Sequence, residues 1–443
     1  PLSFVLPAYR WWEKWFYLIG LKIYDLMARH LSFGVSELLS QSAAHHRAES
    51  LMPKGLRGGV LYYDGQMDDA RLGLALAKTS IEQGAYPLNY VQVTGINLDK
   101  ESGLHEVKIQ DLINEDEHRE SLVEQTLYGR SVINATGVFV DDVRELEDAQ
   151  VNRVVRPSQG AHLVLPKRFL PGESAIIFPQ TSDGRVLFAI PWYERVIVGT
   201  TDQFVDQAEL EPRPLEEELV SILDHLCEYL DPQPTRDDVL SVFAGLRPLV
   251  VPQAEAGTKS DRSASVSREH SVFFGRGGVC HVTGGKWTTY RKMAEDVLES
   301  VIKRGAIPHK PCVTQSLKLV GWREAEGNIT TENVYGSERD TLESMSSELA
   351  DSEVLIHPRL PYIKAEVVYA IRYELAMTVD DVLARRTRAL LLDARAAIEC
   401  APEVAAIIAQ ELGRDQDWVK HQVEIFTAIA HRYLWERKEE ADA

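Results

Sequence analysis

Residues 277–301 limit the architecture more than any other stretch of the chain. Gly277-Gly278 form a turn, Val279-Cys280-His281-Val282 reads as a short buried strand, and Gly284-Gly285-Lys286-Trp287-Thr288-Thr289-Tyr290-Arg291-Lys292 follows directly. Met293, Ala294, Val297, Leu298 and Val301 then recur at helical spacing. The order is strand, glycine pair, helix N-terminus. Glycines let the backbone approach a ligand, and the unpaired N–H groups of a first helical turn favour negative charge, to which Lys286 adds a cation. Such a corner suits a phosphate, an enolate or the electron-rich edge of a reduced flavin. A tight strand-to-helix turn that needs glycine only for its dihedrals would read the same way.

Composition removes several function classes. At 443 residues the chain has room for two or three domains, and its 44% hydrophobic and 26% charged residues are those of an ordinary globular protein. A net charge of −19 argues against nucleic acid as a partner, because neutralising phosphates takes clustered Lys and Arg. Cys227, Cys280, Cys312 and Cys400 are scattered, with no C-x-x-C, which predicts free thiols and no zinc site. Of thirteen histidines only His45-His46 are adjacent, without acidic or thiol partners at ligand spacing, so no metal is expected. No secretory signal is expected, and no run approaches the ~18 apolar residues of a membrane span.

The first thirty residues stand apart. Trp11, Trp12 and Trp15 lie beside Phe16, Tyr17, Leu18, Ile19, Leu21, Ile23, Tyr24 and Leu26, with Arg10, Lys14, Lys22 and Arg29 interleaved. A segment of this kind can lie in a membrane interface with rings at headgroup level. It can equally be a helix packed on the body of the protein.

Further along, Asp68 or Asp69 caps a helix through Ile81 that Gly84 closes, and Tyr90–Thr94 alternates like a strand. Val107 and Ile109 belong to another strand, and Ser131-Val132-Ile133-Asn134 leads into Ala135-Thr136-Gly137. A strand ending in such small residues is a close-approach point for a dinucleotide in doubly wound sheets. His162–Leu165, Ala175–Phe178, Val186–Ile190 and Val196–Val198 read as four strands, with Asp183-Gly184 as a hairpin turn. This meander suggests a second, substrate-covering domain. An amphipathic helix on Leu215, Leu219, Ile222, Leu223, Leu226 and Leu230 stops at Asp231-Pro232. A strand from Val239 then runs into the stiff turn Gly245-Leu246-Arg247-Pro248-Leu249, and Ala254 to Ser267 reads as a mobile loop. After Pro311 the periods become helical, and the three arginines in Arg385–Arg388 read as a solvated or partner-facing patch rather than a site.

The ordered runs Tyr62-Tyr63-Asp64-Gly65-Gln66 with Asp69-Ala70-Arg71, Val132–Gly137, Pro191-Trp192, Gly199-Thr200-Thr201-Asp202, Gly245–Leu249 and Gly284–Arg291 together resemble the FAD-dependent glycerol-3-phosphate dehydrogenases of mitochondrial type. The likeness continues through Pro361-Tyr362-Ile363, Ala365-Glu366-Val367 and Arg385–Arg388. It implies an α/β fold with three parts. A glutathione-reductase-like, doubly wound FAD-binding domain would take up residues 1–150 and 276–310. A mainly antiparallel β domain covering the substrate would occupy 151–275, and a helical C-terminal domain 311–443. It also implies oxidation of sn-glycerol 3-phosphate at C2 to dihydroxyacetone phosphate, with electrons passing through FAD to a membrane quinone. The setting would be peripheral, on an inner mitochondrial or a bacterial cytoplasmic membrane, and a homodimer stays open.

On that resemblance Arg247 binds the phosphate as a fixed, always-charged donor, Arg268 matches the family's second arginine, and His162 is the candidate base. Lys286 and the N–H groups around Thr288 and Thr289 would stabilise the reduced flavin, and Thr289 also reaches the substrate. The cofactor-binding set is Ala135, Thr136, Gly137, Gly284, Gly285, Lys286, Trp287, Thr288 and Thr289. One departure matters. The family begins with a strand and a G-x-G-x-x-G turn, and no G-x-G-x-x-G occurs in these residues. The chain reads as N-terminally incomplete in its FAD-binding domain and as written is expected to hold FAD weakly. A glycerol-3-phosphate oxidase using oxygen, and a catalytically inactive binding module, are the alternatives.

Overall fold

The computed structural model describes residues 1–113, 124–179, 186–250, 269–324, 333–349 and 351–436. Its largest feature is a nine-stranded sheet. The chain enters it through β1 (Leu2–Pro7), leaves for α1 (Glu13–Ala28), and returns through β2 (Glu37–Leu39), α2 (Gln41–Arg47) and β3 (Gly59–Asp64). It departs again for α3 (Asp69–Glu82), whose N-cap Asp68 accepts from the Arg71 N–H as its sequence position predicts. Three strands, β4 (Val91–Leu98), β5 (His105–Asp111) and β6 (Gln125–Gly129), form a separate antiparallel sheet. After β7 (Ile133–Asn134) and α4 (Val140–Glu147) comes the meander β8 (Val155–Pro166), β9 (Ala175–Phe178), β10 (Leu187–Trp192), β11 (Arg195–Gly199) and β12 (Gln203–Phe204). Then follow α5 (Glu216–Tyr229) and β13 (Ser241–Val250).

The strand order is β12-β8-β11-β10-β9-β1-β3-β2, with β13 also paired to β8. All the meander strands expected from the sequence are present, while the Asp183-Gly184 turn and the Ala254–Ser267 loop lie outside the described residues. The placement of β1, β2 and β3 corrects the expected boundary of residues 1–150. β1 runs parallel to β9 and antiparallel to β3, so β1, β2 and β3 belong to the same sheet as the meander and not to a sheet with β7. The reason is visible in β1 itself. Val5 packs into the core under one face of the sheet, Leu2, Phe4 and Leu6 into the other, and a strand apolar on both sides belongs inside a sheet.

One face of this sheet is sealed by α2 and α5, where Ala44, Ala48, Leu219, Ile222 and Leu226 meet Val5, Leu163, Leu165, Ile176, Phe178 and Val198. On the other face Tyr17 and Leu21 of α1 pack on Phe4, Ile177 and Tyr62. Further along that same face the side chains of His162 and Phe243 stack.

A smaller sheet, β14 (Ser271–Phe274)-β15 (Cys280–Thr283)-β7, contains the parallel pair, with Cys280 opposite Ile133 and His281 opposite Asn134. Cys280 and Val282 pack on Val297 and Val301 of α6 (Tyr290–Lys303), while His281 points the other way, to Glu147 of α4. The C-terminal region is helical as expected, with α8 (Lys364–Glu374), α9 (Ala389–Leu392), α10 (Ala394–Leu412) and α11 (Gln416–His431) around one core, and α7 (Arg339–Glu348) in a second, smaller cluster with α8.

The arginine run at 385–388 is not a solvated face. Arg388 is buried and its Nη2 lies 2.7 Å from Asp68 Oδ1 and 3.0 Å from Asp69 Oδ1. Arg386 pairs with Asp381 at 2.6 Å and Arg385 with Glu211. Burial alone would raise the Asp68 carboxyl, but the Arg388 guanidinium beside it holds it below the ordinary carboxylate range. In return Arg71 of α3 reaches Glu374 of α8 at 2.6 Å. These buried pairs clamp the helical region to the N-cap and first turn of α3.

Candidate active site

Antiparallel pairing on β8 assembles the first half of the site. Phe243 lies opposite His162, Gly245 opposite Gly160 and Arg247 opposite Ser158, while β11 places Gly199 on the other side of His162. Side chains two apart share a face, so His162 and Arg247 come to the same side of one sheet although 85 positions separate them in sequence. Arg247 folds back along the strand, and a Cβ at Gly160 would fall 2.5 Å from its Nη2. Its Nη1 donates to Thr201 O at 3.3 Å and Nη2 to Thr200 Oγ1 at 3.2 Å, with Asp202 Oδ1 3.6 Å away.

His162 stacks on Phe243 with ring centroids 5.0 Å apart, and a Cβ at Gly199 would collide with its ring at 2.2 Å, which accounts for glycine there. Burial first, and the charge of Arg247 second, push its pKa down to about 4, so the imidazole is neutral at physiological pH. Its Nδ1 is buried and makes no hydrogen bond among the described residues.

The second half is the glycine corner. Gly284 and Gly285 both have φ +77°, in the region that disfavours side chains. Lys286 is exposed, and the turn Trp287–Thr289 leads into α6. Thr289 Oγ1 donates to Lys286 O at 2.9 Å and so closes this turn instead of standing free. An apolar cleft of about 830 Å³ joins the two halves; Ala135, Arg247, Gly284, Gly285, Lys286 and Trp287 all line it. His162, Thr136, Gly137, Thr288 and Thr289 are not among its lining residues, and Arg268 lies outside the described residues.

Behind the Ala135-Thr136-Gly137 turn runs a buried chain of hydrogen bonds that the sequence did not disclose. Thr136 N–H and Oγ1–H donate to Asn134 Oδ1 at 3.2 and 2.7 Å. Asn134 Nδ2 lies 3.1 Å from His281 Nδ1, and His281 Nε2 lies 3.1 Å from Glu147 Oε2. A polar Asn and His inside the apolar runs 131–134 and 279–282 were the available signals. Glu147 had none, because its partner is 134 residues away. Grouped His, Cys, Asp and Glu able to hold a metal are absent among the described residues.

The residues present fit the ring end of a flavin: Gly137, at φ +62°, has nothing within 4 Å of where its Cβ would be, and Ala135 and the exposed Lys286, beside the start of α6, line one apolar cleft. For the pyrophosphate end the sequence offers no G-x-G-x-x-G.

The family profile described as FAD dependent oxidoreductase matches residues 4–291. The chain belongs to the FAD-dependent oxidoreductase family. A second profile, the C-terminal domain of alpha-glycerophosphate oxidase, matches residues 312–419 within the helical region. The mitochondrial glycerol-3-phosphate dehydrogenase of Mesocricetus auratus is 35% identical over 98% of this chain and 61% of its own length. That of Arabidopsis thaliana is 34% identical over 96% of this chain and 71% of its own. Thus the chain spans about three fifths of the length of the animal relatives it matches. The glycerol-3-phosphate dehydrogenase of Bacillus halodurans, solved in complex with FAD, superposes with a TM-score of 0.77 at 25% identity, covering 98% of this chain and 82% of that one. Within its family the chain therefore falls among the glycerol-3-phosphate dehydrogenases, and the mixed-sheet fold with a helical C-terminal region is the family's.

Proposed function

We propose that this chain carries the substrate site of a flavin-linked oxidation of sn-glycerol 3-phosphate to dihydroxyacetone phosphate. The observation that carries the reading is the placement of a fixed guanidinium and a neutral imidazole on one sheet face, beside the cleft that ends at the glycine corner. Arg247 binds the phosphate through a planar fork whose inner side is already held by Thr200 and Thr201. Arg268, by its position in the sequence, serves as the second phosphate donor. His162, unprotonated because of its burial, accepts the proton of the C2 hydroxyl as the C2–H bond breaks. Lys286 and the N–H groups at the start of the turn Trp287–Thr289 supply positive potential at the far end of the cleft. FAD, when bound at the glycine corner, would supply the hydride acceptor, and a membrane quinone would be the final electron acceptor.

The membrane contact in this reading is α1. Tyr17 and Leu21 face the sheet, while Trp11, Trp15, Phe16, Ile19, Leu26 and Met27 are all more than half exposed. A continuous apolar face of that size on a short helix suits an interface rather than water. No helix among the described residues is long and apolar enough to cross a membrane. Co-sedimentation with liposomes, lost on Phe16→Glu, tests this part.

Glycerol-3-phosphate-dependent reduction of an artificial dye by the FAD-supplemented protein tests the chemistry. Absence of turnover in protein whose visible absorbance shows that it has taken up FAD would remove the reading, and stoichiometric hydrogen peroxide would move it to the oxidase alternative.

A further inference from the structure

We propose that Glu218, on the opposite side of the covering sheet, is a positioning residue for the Arg247 guanidinium and acts through Thr201. The inference rests on Arg247 binding the substrate phosphate. Glu218 is the third residue of α5 and is 4% exposed. Its carboxylate receives three donors. Thr201 Oγ1 lies 2.5 Å from Oε1, and Gln159 Nε2 and Leu215 N lie 2.8 and 2.9 Å from Oε2. All three are neutral groups. A carboxylate withdrawn from water into such company is costly to keep, and capping α5 alone would need only the Leu215 N–H.

What the arrangement secures is the direction of Thr201. With its hydroxyl proton given to Glu218, Thr201 Oγ1 accepts from Ala161 N–H of β8 at 2.8 Å. The side chain is therefore pinned between α5 and the strand, and the Thr201 carbonyl is left to receive Arg247 Nη1 at 3.3 Å and the Thr200 hydroxyl at 3.1 Å. Because the Thr200 proton is spent on that carbonyl, Thr200 Oγ1 offers a lone pair to Arg247 Nη2. Both terminal nitrogens of the fork thus take their orientation from two consecutive threonines, and one buried carboxylate sets the rotamer of the second. Ser158 adds a tie on the other flank by donating to Asp202. Glu218 touches neither the cleft nor its ligand.

Glu218→Gln keeps the shape but puts an NH2 where an acceptor stood, and Thr201→Val keeps the shape but removes the hydroxyl. Calorimetric titration of the full chain with glycerol 3-phosphate, alongside thermal unfolding, is the test. Both variants are expected to weaken binding ~5-fold or more, the scale of one lost buried hydrogen bond. In an Arg247→Lys background, which has no fork to orient, Glu218→Gln should add no further loss. A variant that unfolds earlier yet binds as tightly as the parent would show Glu218 to be a cap for α5 alone and overturn the inference. So would an equal loss in the Arg247→Lys background. If the parent chain itself does not bind glycerol 3-phosphate, the phosphate reading falls and this inference with it. A parent that binds and variants that bind equally well sink the inference only. Should Glu218→Gln fail to fold, Thr201→Val decides the matter alone.

Discussion

The two sheets that meet at the cleft are built to different standards. The nine-stranded sheet has a sealed core against α2 and α5, and its helical neighbour is clamped to α3 by buried ion pairs. The three-stranded sheet has only four residues in each of β14 and β15 and two in β7, and Ile133 on its edge is 42% exposed. One face of it packs on α6 through a small cluster, Cys280, Val282, Val297 and Val301, and the other is tied by a polar chain, Thr136-Asn134-His281-Glu147. On the proposed function the half with the larger sealed core would hold the substrate, and the half with the shorter strands would face the cofactor.

Flavin content should separate the halves most sharply. Purified residues 1–443 should carry well under one FAD per chain, because no glycine-rich turn for the pyrophosphate is encoded in them. Visible absorbance measures this, and a near-stoichiometric yellow protein would mean the small sheet suffices alone. Next in size is the clamp. Arg388→Ala leaves Asp68 buried and unpaired, and urea unfolding should show a loss of about 3–5 kcal/mol. Arg276→Ala, whose side chain beside the small sheet is 82% exposed, should change nothing measurable. Similar losses at both sites would erase the contrast.

Third, Arg247→Lys keeps the charge but loses the fork, and should cost about 1–2 kcal/mol of glycerol 3-phosphate binding in titration. An unchanged affinity would take Arg247 out of the site. The smallest effect concerns pH. Burial lowers the folded pKa of His162 to about 4 from an ordinary 6.5. As pH falls the unfolded chain takes up its proton first, so the stability tied to the neutral ring is complete above pH ~6.5 and is lost progressively toward pH 4. His162→Asn should flatten that limb in unfolding measurements between these limits, while the parent slopes.

Much of the substrate half was legible because local pattern carries it. The short apolar runs 162–165, 175–178 and 196–198 marked the strands, Asp68 the helix start, and Gly245–Leu249 singled out Arg247. The fate of residues 2–7 was not legible, since a run apolar on both faces beside a tryptophan-rich helix does not name its sheet, and β1 pairs with β9 some 170 positions later. The arginines at 385–388 looked solvated for a similar reason: Asp68 and Glu211, which neutralise them, are remote in sequence. Local pattern reports what a segment is, and only the fold reports what it meets. Thr289 adds the converse case, a residue in a ligand motif whose hydroxyl proton is donated within its own turn.

The long strand β8 has a consequence for which molecules can react. β11, β12 and β13 all take their register from it, so the gap between guanidinium and imidazole is metered by backbone pitch and not by the wall of a pocket. With Arg247 folded over Gly160, that gap is two residues of strand, ~7 Å. A three-carbon phosphate ester is about the length that reaches from one to the other. With Arg247 and His162 acting as proposed, a longer alcohol would overshoot the base and a shorter one would fall short of it. Changing the tolerated length would take a change of strand register, and a slip of a single residue would turn His162 to the far side of the sheet. Under the proposed function, selection by length would be written into the hydrogen-bond ladder itself, where point substitutions in the cleft cannot easily reach it.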